Sequence, residues 1–99
     1  MAYKSIVVAV GTWLYDGKVP RKIELLARPA REAGSRWIET ETGQFVIDES
    51  APVPATADGF VYYVGATSGG EFLSIEDAIS WADRQPWGPV KWTFLPERI

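Results

Sequence analysis

The sequence contains no cysteine and no histidine. No disulfide can staple the chain, and no thiolate or imidazole can hold a transition metal. Nucleophiles built on Cys, or on Ser activated by His, are excluded, together with imidazole acid–base chemistry. Long apolar runs are lacking as well. The longest uncharged stretches, Ile6–Tyr15 and Gly59–Gly70, fall well short of the ~20 apolar residues a membrane-spanning helix needs. Lys4 followed by Ile6-Val7-Val8-Ala9-Val10 has a faint likeness to a secretion leader, but Trp13 and Tyr15 interrupt the run and no small-residue cleavage site precedes Asp16. That segment reads as a strand, and a cytoplasmic location is the default expectation. Oxygen ligands could still bind a metal, yet no segment carries the alternating acids of a calcium loop. No metal and no cofactor is expected.

What is present suffices for one small core. The 99 residues, 46% of them hydrophobic, fit a single α+β domain, 1–99, able to bury about two-thirds of its unfolded surface. The net charge of −3 makes the chain mildly acidic and gives it no global attraction for nucleic acid or anionic lipid. Its distribution is uneven. Residues 18–36 hold six basic groups (Lys18, Arg21, Lys22, Arg28, Arg31, Arg36) against Glu24 and Glu32, whereas residues 37–99 are strongly acidic.

Asp16-Gly17 between two β-rich runs is the pattern of a two-residue type I′ hairpin. That turn sets Tyr15 opposite Lys18. One face then pairs Leu14/Val19, Thr12/Arg21, Val10/Ile23, Val8/Leu25 and Ile6/Ala27, and reads as core. The other pairs Trp13/Pro20, Gly11/Lys22, Ala9/Glu24, Val7/Leu26 and Ser5/Arg28, and reads as outer surface, since side-chain direction alternates with period two. Pro20 and Gly11 point to an edge or bulge near the tip. Thr42-Gly43 suggests a second two-residue turn pairing Glu41 with Gln44. It sets Ile38/Ile47 and Thr40/Phe45 on an apolar face closed by Arg36/Glu49, with Trp37/Asp48 on the wet one.

Ser50–Asp58, with Pro52 and Pro54, reads as an extended surface connector. Phe60–Val64 reads as a fifth strand. Ser74 caps the only convincing helix, with Glu76 and Asp77 at its positive end and Arg84 at its negative end. Ile75, Ala78, Ile79 and Ala82 form its apolar stripe, and Pro86 ends it by Gln85. Val90, Trp92 and Phe94 alternate as a sixth strand. The order β-β-β-β-β-α-β describes a largely antiparallel sheet of about six strands with one amphipathic helix packed on one face.

Candidate chemistry is sparse. Glu39 with Glu41, and Glu76 with Asp83, are carboxylate pairs, but each falls on a solvated surface rather than in the cleft that acid–base work requires. Gly65–Gly70 has the composition of an anion-binding loop without the lysine and helix that should follow it. The five tryptophans are more informative. Trp92 belongs to the core strand, Trp81 to the shoulder of the helix stripe, and Trp87 folds back over that turn. The hairpin registers leave Trp13 and Trp37 outside, where aromatic anchors favour interfaces. The favoured reading is a non-catalytic protein-interaction or regulatory module, not an enzyme. It binds a protein, a second copy of itself included, through Val7, Trp13, Lys22, Leu26, Arg28 and Trp37, centred on the outer face of the first hairpin. The alternative is nucleic-acid binding by the basic segment 18–36. Third comes a small enzyme working with carboxylates.

Overall fold

A computed structural model describes residues 5–65, 67 and 69–96. The elements follow the expected order: β1 (Ile6–Tyr15), β2 (Val19–Pro29), β3 (Trp37–Glu39), β4 (Phe45–Ile47), β5 (Phe60–Val64), α1 (Ile75–Asp83) and β6 (Lys91–Phe94). The strands do not form one sheet. Four of them make an antiparallel sheet in the order β5-β2-β1-β6, and β3 and β4 pair with each other as a separate two-stranded arm. Two 3₁₀ turns, Ala30–Glu32 and Gly34–Arg36, connect sheet to arm. Among the described residues α1 is the only α-helix, and no helix is long and apolar enough to cross a membrane.

The first turn has the expected conformation and an unexpected continuation. Asp16 and Gly17 both adopt positive φ (54° and 67°), and the Lys18 amide donates to the Tyr15 carbonyl at 3.0 Å. The ladder then begins at Tyr15↔Val19, which leaves Lys18 as an extra residue between the turn and β2. A second irregularity lies between Val7 and Ala9, where Val8 is the extra residue of β1. Each bulge shifts the register by one, so the two cancel: Ile6↔Ala27 and Val7↔Leu26 are the expected pairs. Between the bulges every β1 side chain points to the opposite face from the one expected.

The core reflects this correction. On β2, Ile23, Leu25 and Ala27 face it as expected, but their partners are Ala9 and Gly11 rather than Val8 and Val10. Tyr62 and Val64 of β5, Ala78 and Ala82 of α1, and Val90 complete it. Gly11 is neither an edge nor a bulge. It sits where a Cβ would lie 2.5 Å from Val90 Cγ1 and 2.9 Å from Trp92 Cε3, so only glycine admits these side chains so closely. The Ser74 hydroxyl accepts the Asp77 amide at 3.1 Å, capping α1 as its position suggests.

The second hairpin also departs from expectation. The Thr40 amide donates to the Gln44 carbonyl at 2.7 Å, and the Gly43 amide to the Thr40 carbonyl at 3.0 Å. The loop is therefore one residue longer than two, and the ladder becomes Trp37↔Ile47, Ile38↔Val46, Glu39↔Phe45. The expected apolar face does not form, and Ile38, Phe45 and Val46 remain exposed at 47%, 60% and 42%. The arm is held at its base by Arg36, buried at 4% exposure. Its guanidinium donates to the carbonyls of Arg31 (2.5 Å), Ala51 (3.1 Å), Asp48 and Glu49 (both 3.4 Å). The expected ion pair with Glu49 is present at 3.7 Å. Its carboxylate is nearly fully exposed, so the carbonyl bonds supply more of the hold.

Candidate functional site

With α1 on one side, the sheet offers its other side to solvent. Rows across the strands define that outer face: Lys22, Thr12 and Lys91 in one, Glu24, Val10 and Thr93 in the next, and Val7, Leu26 and Tyr63 further along. Two hollows lie on it and share the Tyr63 ring. The first, about 530 Å³, is lined by Lys22, Ile23, Glu24, Leu26, Tyr63 and Gly65. The second, about 470 Å³, includes Arg28, Gly34, Ser35, Thr67 and Glu71. The expected loop Gly65–Gly70 borders both, although its Ala66 and Ser68, like Lys4 at the start of the chain, lie outside the described residues.

The electrostatics of the two hollows differ. In the second, Arg28 is 7% exposed, with Nη1 3.4 Å from Glu71 Oε2 and its guanidinium over the Tyr63 ring at 4.4 Å. Both Glu71 carboxylate oxygens accept the Gly34 amide at 3.0 Å, so the acid ties the 3₁₀ segment to the sheet. The Arg28 charge is buried, and Glu71 keeps about a fifth of its side chain, 21%, exposed. In the first hollow Lys22 reaches Glu24 only at 3.9 Å and stays mostly exposed, an arrangement of little energetic weight. Its charge remains available to a partner.

The proposed site residues are therefore split. Val7, Leu26 and Lys22 stay together on the outer face, and Arg28 lies on the same face but buried in its ion pair with Glu71. Trp13 is on the opposite side. The bulged register turns it toward the helix, where it meets Trp87 at 5.9 Å and Tyr15 at 6.3 Å. Trp87 in turn meets Trp81 at 5.8 Å, so Trp13 belongs to an aromatic ladder packed against the core. Trp37 stands at the arm's base, its indole N–H donating to the Glu32 carbonyl at 3.0 Å. Tyr63 is the residue that sequence reasoning missed: it floors both hollows, yet nothing in Phe60–Val64 distinguishes its side of the strand from that of Tyr62.

Asp48, Asp58 and Tyr62 have clearly shifted proton affinities, and these three lie outside the lining of both hollows. Hydrogen bonds from Ser50 hold Asp48 below the ordinary carboxylate range. The Tyr62 hydroxyl does the same for Asp58. Burial, and then the bond to Asp58, push the Tyr62 phenol up to about 12. No group of three or more Asp or Glu among the described residues is placed to hold a metal ion.

The fold is thus an α+β sheet with one helix on one face, carrying two hollows on the other. Comparison of the chain with models of protein families, with curated proteins and with solved structures finds no match in any of the three.

Proposed function

We propose that the chain is a small non-catalytic interaction module that docks a protein on the outer face of its sheet. The observation that carries this reading is the adjoining pair of hollows around Tyr63, set in the face of the sheet away from α1. Half-buried Val7, Leu26 and Tyr63 supply apolar area at its centre, and the exposed Lys22 and Lys91 supply charge at its rim. An apolar centre bordered by polar groups is the anatomy of protein interfaces. The nucleic-acid reading draws less support, because two of the six basic residues in 18–36 are buried: Arg28 against Glu71 and Arg36 among carbonyls.

A photo-crosslinking amino acid tests the reading directly. Placed at Leu26 in living cells it should yield a discrete protein adduct, whereas the same group at Glu76, on the exposed side of α1, should not. No adduct at Leu26, or equal labelling from both positions, overturns it.

A further inference from the structure

The exposed arm is acidic, and the outer face carries exposed lysines. On the arm, Phe45 is the most exposed of the large hydrophobic side chains among the described residues and stands directly opposite Glu39. Residues 37–50 carry Glu39, Glu41, Asp48 and Glu49 and no basic residue. On the sheet, the 530 Å³ hollow is lined by Leu26 and Tyr63, with the exposed Lys22 and its neighbour Glu24, 3.9 Å away, both at its rim; Lys91, two strands away in the same row, adds the second positive charge. A cavity of roughly 150 Å³ already accepts a benzene ring, so this one admits a phenyl side chain.

We infer that the partner on the outer face is a second copy of this chain, whose arm seats Phe45 in the hollow beside Leu26 and Tyr63 and sets Glu39 against Lys22. The inference rests on the reading of the outer face as the docking surface. A two-fold axis makes the exchange reciprocal, each arm entering the other copy's hollow, and it closes the assembly as a dimer.

Sedimentation equilibrium from about 1 to about 300 µM covers the micromolar end of the range in which protein interfaces associate. The wild-type chain should sediment as a dimer. Phe45→Asp should raise the dissociation constant at least ~100-fold, by burying an unpaired charge, with an unchanged circular dichroism spectrum because the side chain touches little within its own chain. Lys22→Glu and Glu39→Lys should each weaken the dimer about 10-fold alone, yet a one-to-one mixture should recover wild-type association, since both contacts are then again between opposite charges. A wild-type monomer at every concentration, a dimer indifferent to Phe45→Asp, or a mixture no tighter than its components overturns the inference. The two levels separate cleanly. Association abolished by Leu26→Asp but untouched by Phe45→Asp, or a monomer that still crosslinks another protein through position 26, removes the arm exchange and leaves the outer face as the docking surface.

Discussion

Replacing Gly11 by alanine tests the register of the first hairpin with one methyl group. In the bulged register the new Cβ falls 2.5 Å from Val90 Cγ1 and 2.9 Å from Trp92 Cε3, about 1 Å inside the optimal carbon–carbon separation. Overpacking of this kind costs about 1–3 kcal/mol. Removing a strand glycine returns about 0.5–1 kcal/mol by restricting the unfolded chain; a clash this deep lies in the upper half of the overpacking range, about 2–3 kcal/mol, which leaves a net loss of about 1–2.5 kcal/mol. For a domain of this length each kcal/mol moves the melting temperature by about 4–8 °C, so Gly11→Ala should melt about 4–20 °C below wild type. In the unbulged register Gly11 would lie on the outer face beside Lys22, where alanine would be harmless or slightly stabilising. Thermal and urea unfolding followed by tryptophan fluorescence give the sign at once. A cycle with Val90→Ala then locates the clash: the two substitutions should couple favourably by about 1 kcal/mol, because truncating Val90 makes room for the new methyl. A melting temperature at or above wild type, or strict additivity with Val90→Ala, refutes the register and with it the placement of Trp13 toward the helix.

Two further outcomes follow from buried polar groups. The Tyr62 phenol, at about 12 in the folded chain against about 10 unfolded, contributes stability that is complete below pH 10 and lost as pH rises toward 12, amounting to about 2–3 kcal/mol. Phenolate absorbance should show an ionisation near pH 12 that disappears in Tyr62→Phe; a spectrum with that step intact in the variant contradicts the assignment. At the acid end Asp58, held low chiefly by the same hydroxyl, contributes stability present above the usual carboxylate value and lost as pH falls through its depressed one. Tyr62→Phe should therefore also flatten the acid limb. Arg36→Met removes the guanidinium from four carbonyls, of which that of Asp48 keeps the Ala51 amide, and should cost about 2–4 kcal/mol. Hydrogen exchange should quicken first at the amides of β3 and β4, and uniform loss of protection across the sheet would show that Arg36 does not specifically hold the arm.

Local chemistry written in the chain located each element. Asp16-Gly17 marks the first turn because both central residues need positive φ, Ser74 starts the helix by accepting the Asp77 amide, and the stripe of Ala78 and Ala82 does face the core. The β2 pattern was legible for the same reason: Ile23, Leu25 and Ala27 alternate in one unbroken strand. Faces failed wherever a single residue was inserted. Lys18 and Val8 differ in nothing local from their neighbours, and whether a ladder absorbs them as bulges depends on what packs across it, here Val90 and Trp92 over Gly11. The extra loop residue at Glu41–Gly43 had the same effect on the arm.

Residue types and their order set the repertoire of this protein: no cysteine or histidine chemistry, an antiparallel α+β order, and a basic stretch followed by an acidic one. Which surfaces are free was settled by the packing of the folded chain. It buried Arg28 against Glu71 and Arg36 among carbonyls, turned Trp13 inward, placed Tyr63 under the outer face and left Phe45 outside. The reason is physical. Composition and local periodicity record what each residue prefers, whereas exposure depends on strand order and on one-residue shifts of register, which are settled by contacts between segments far apart in the chain.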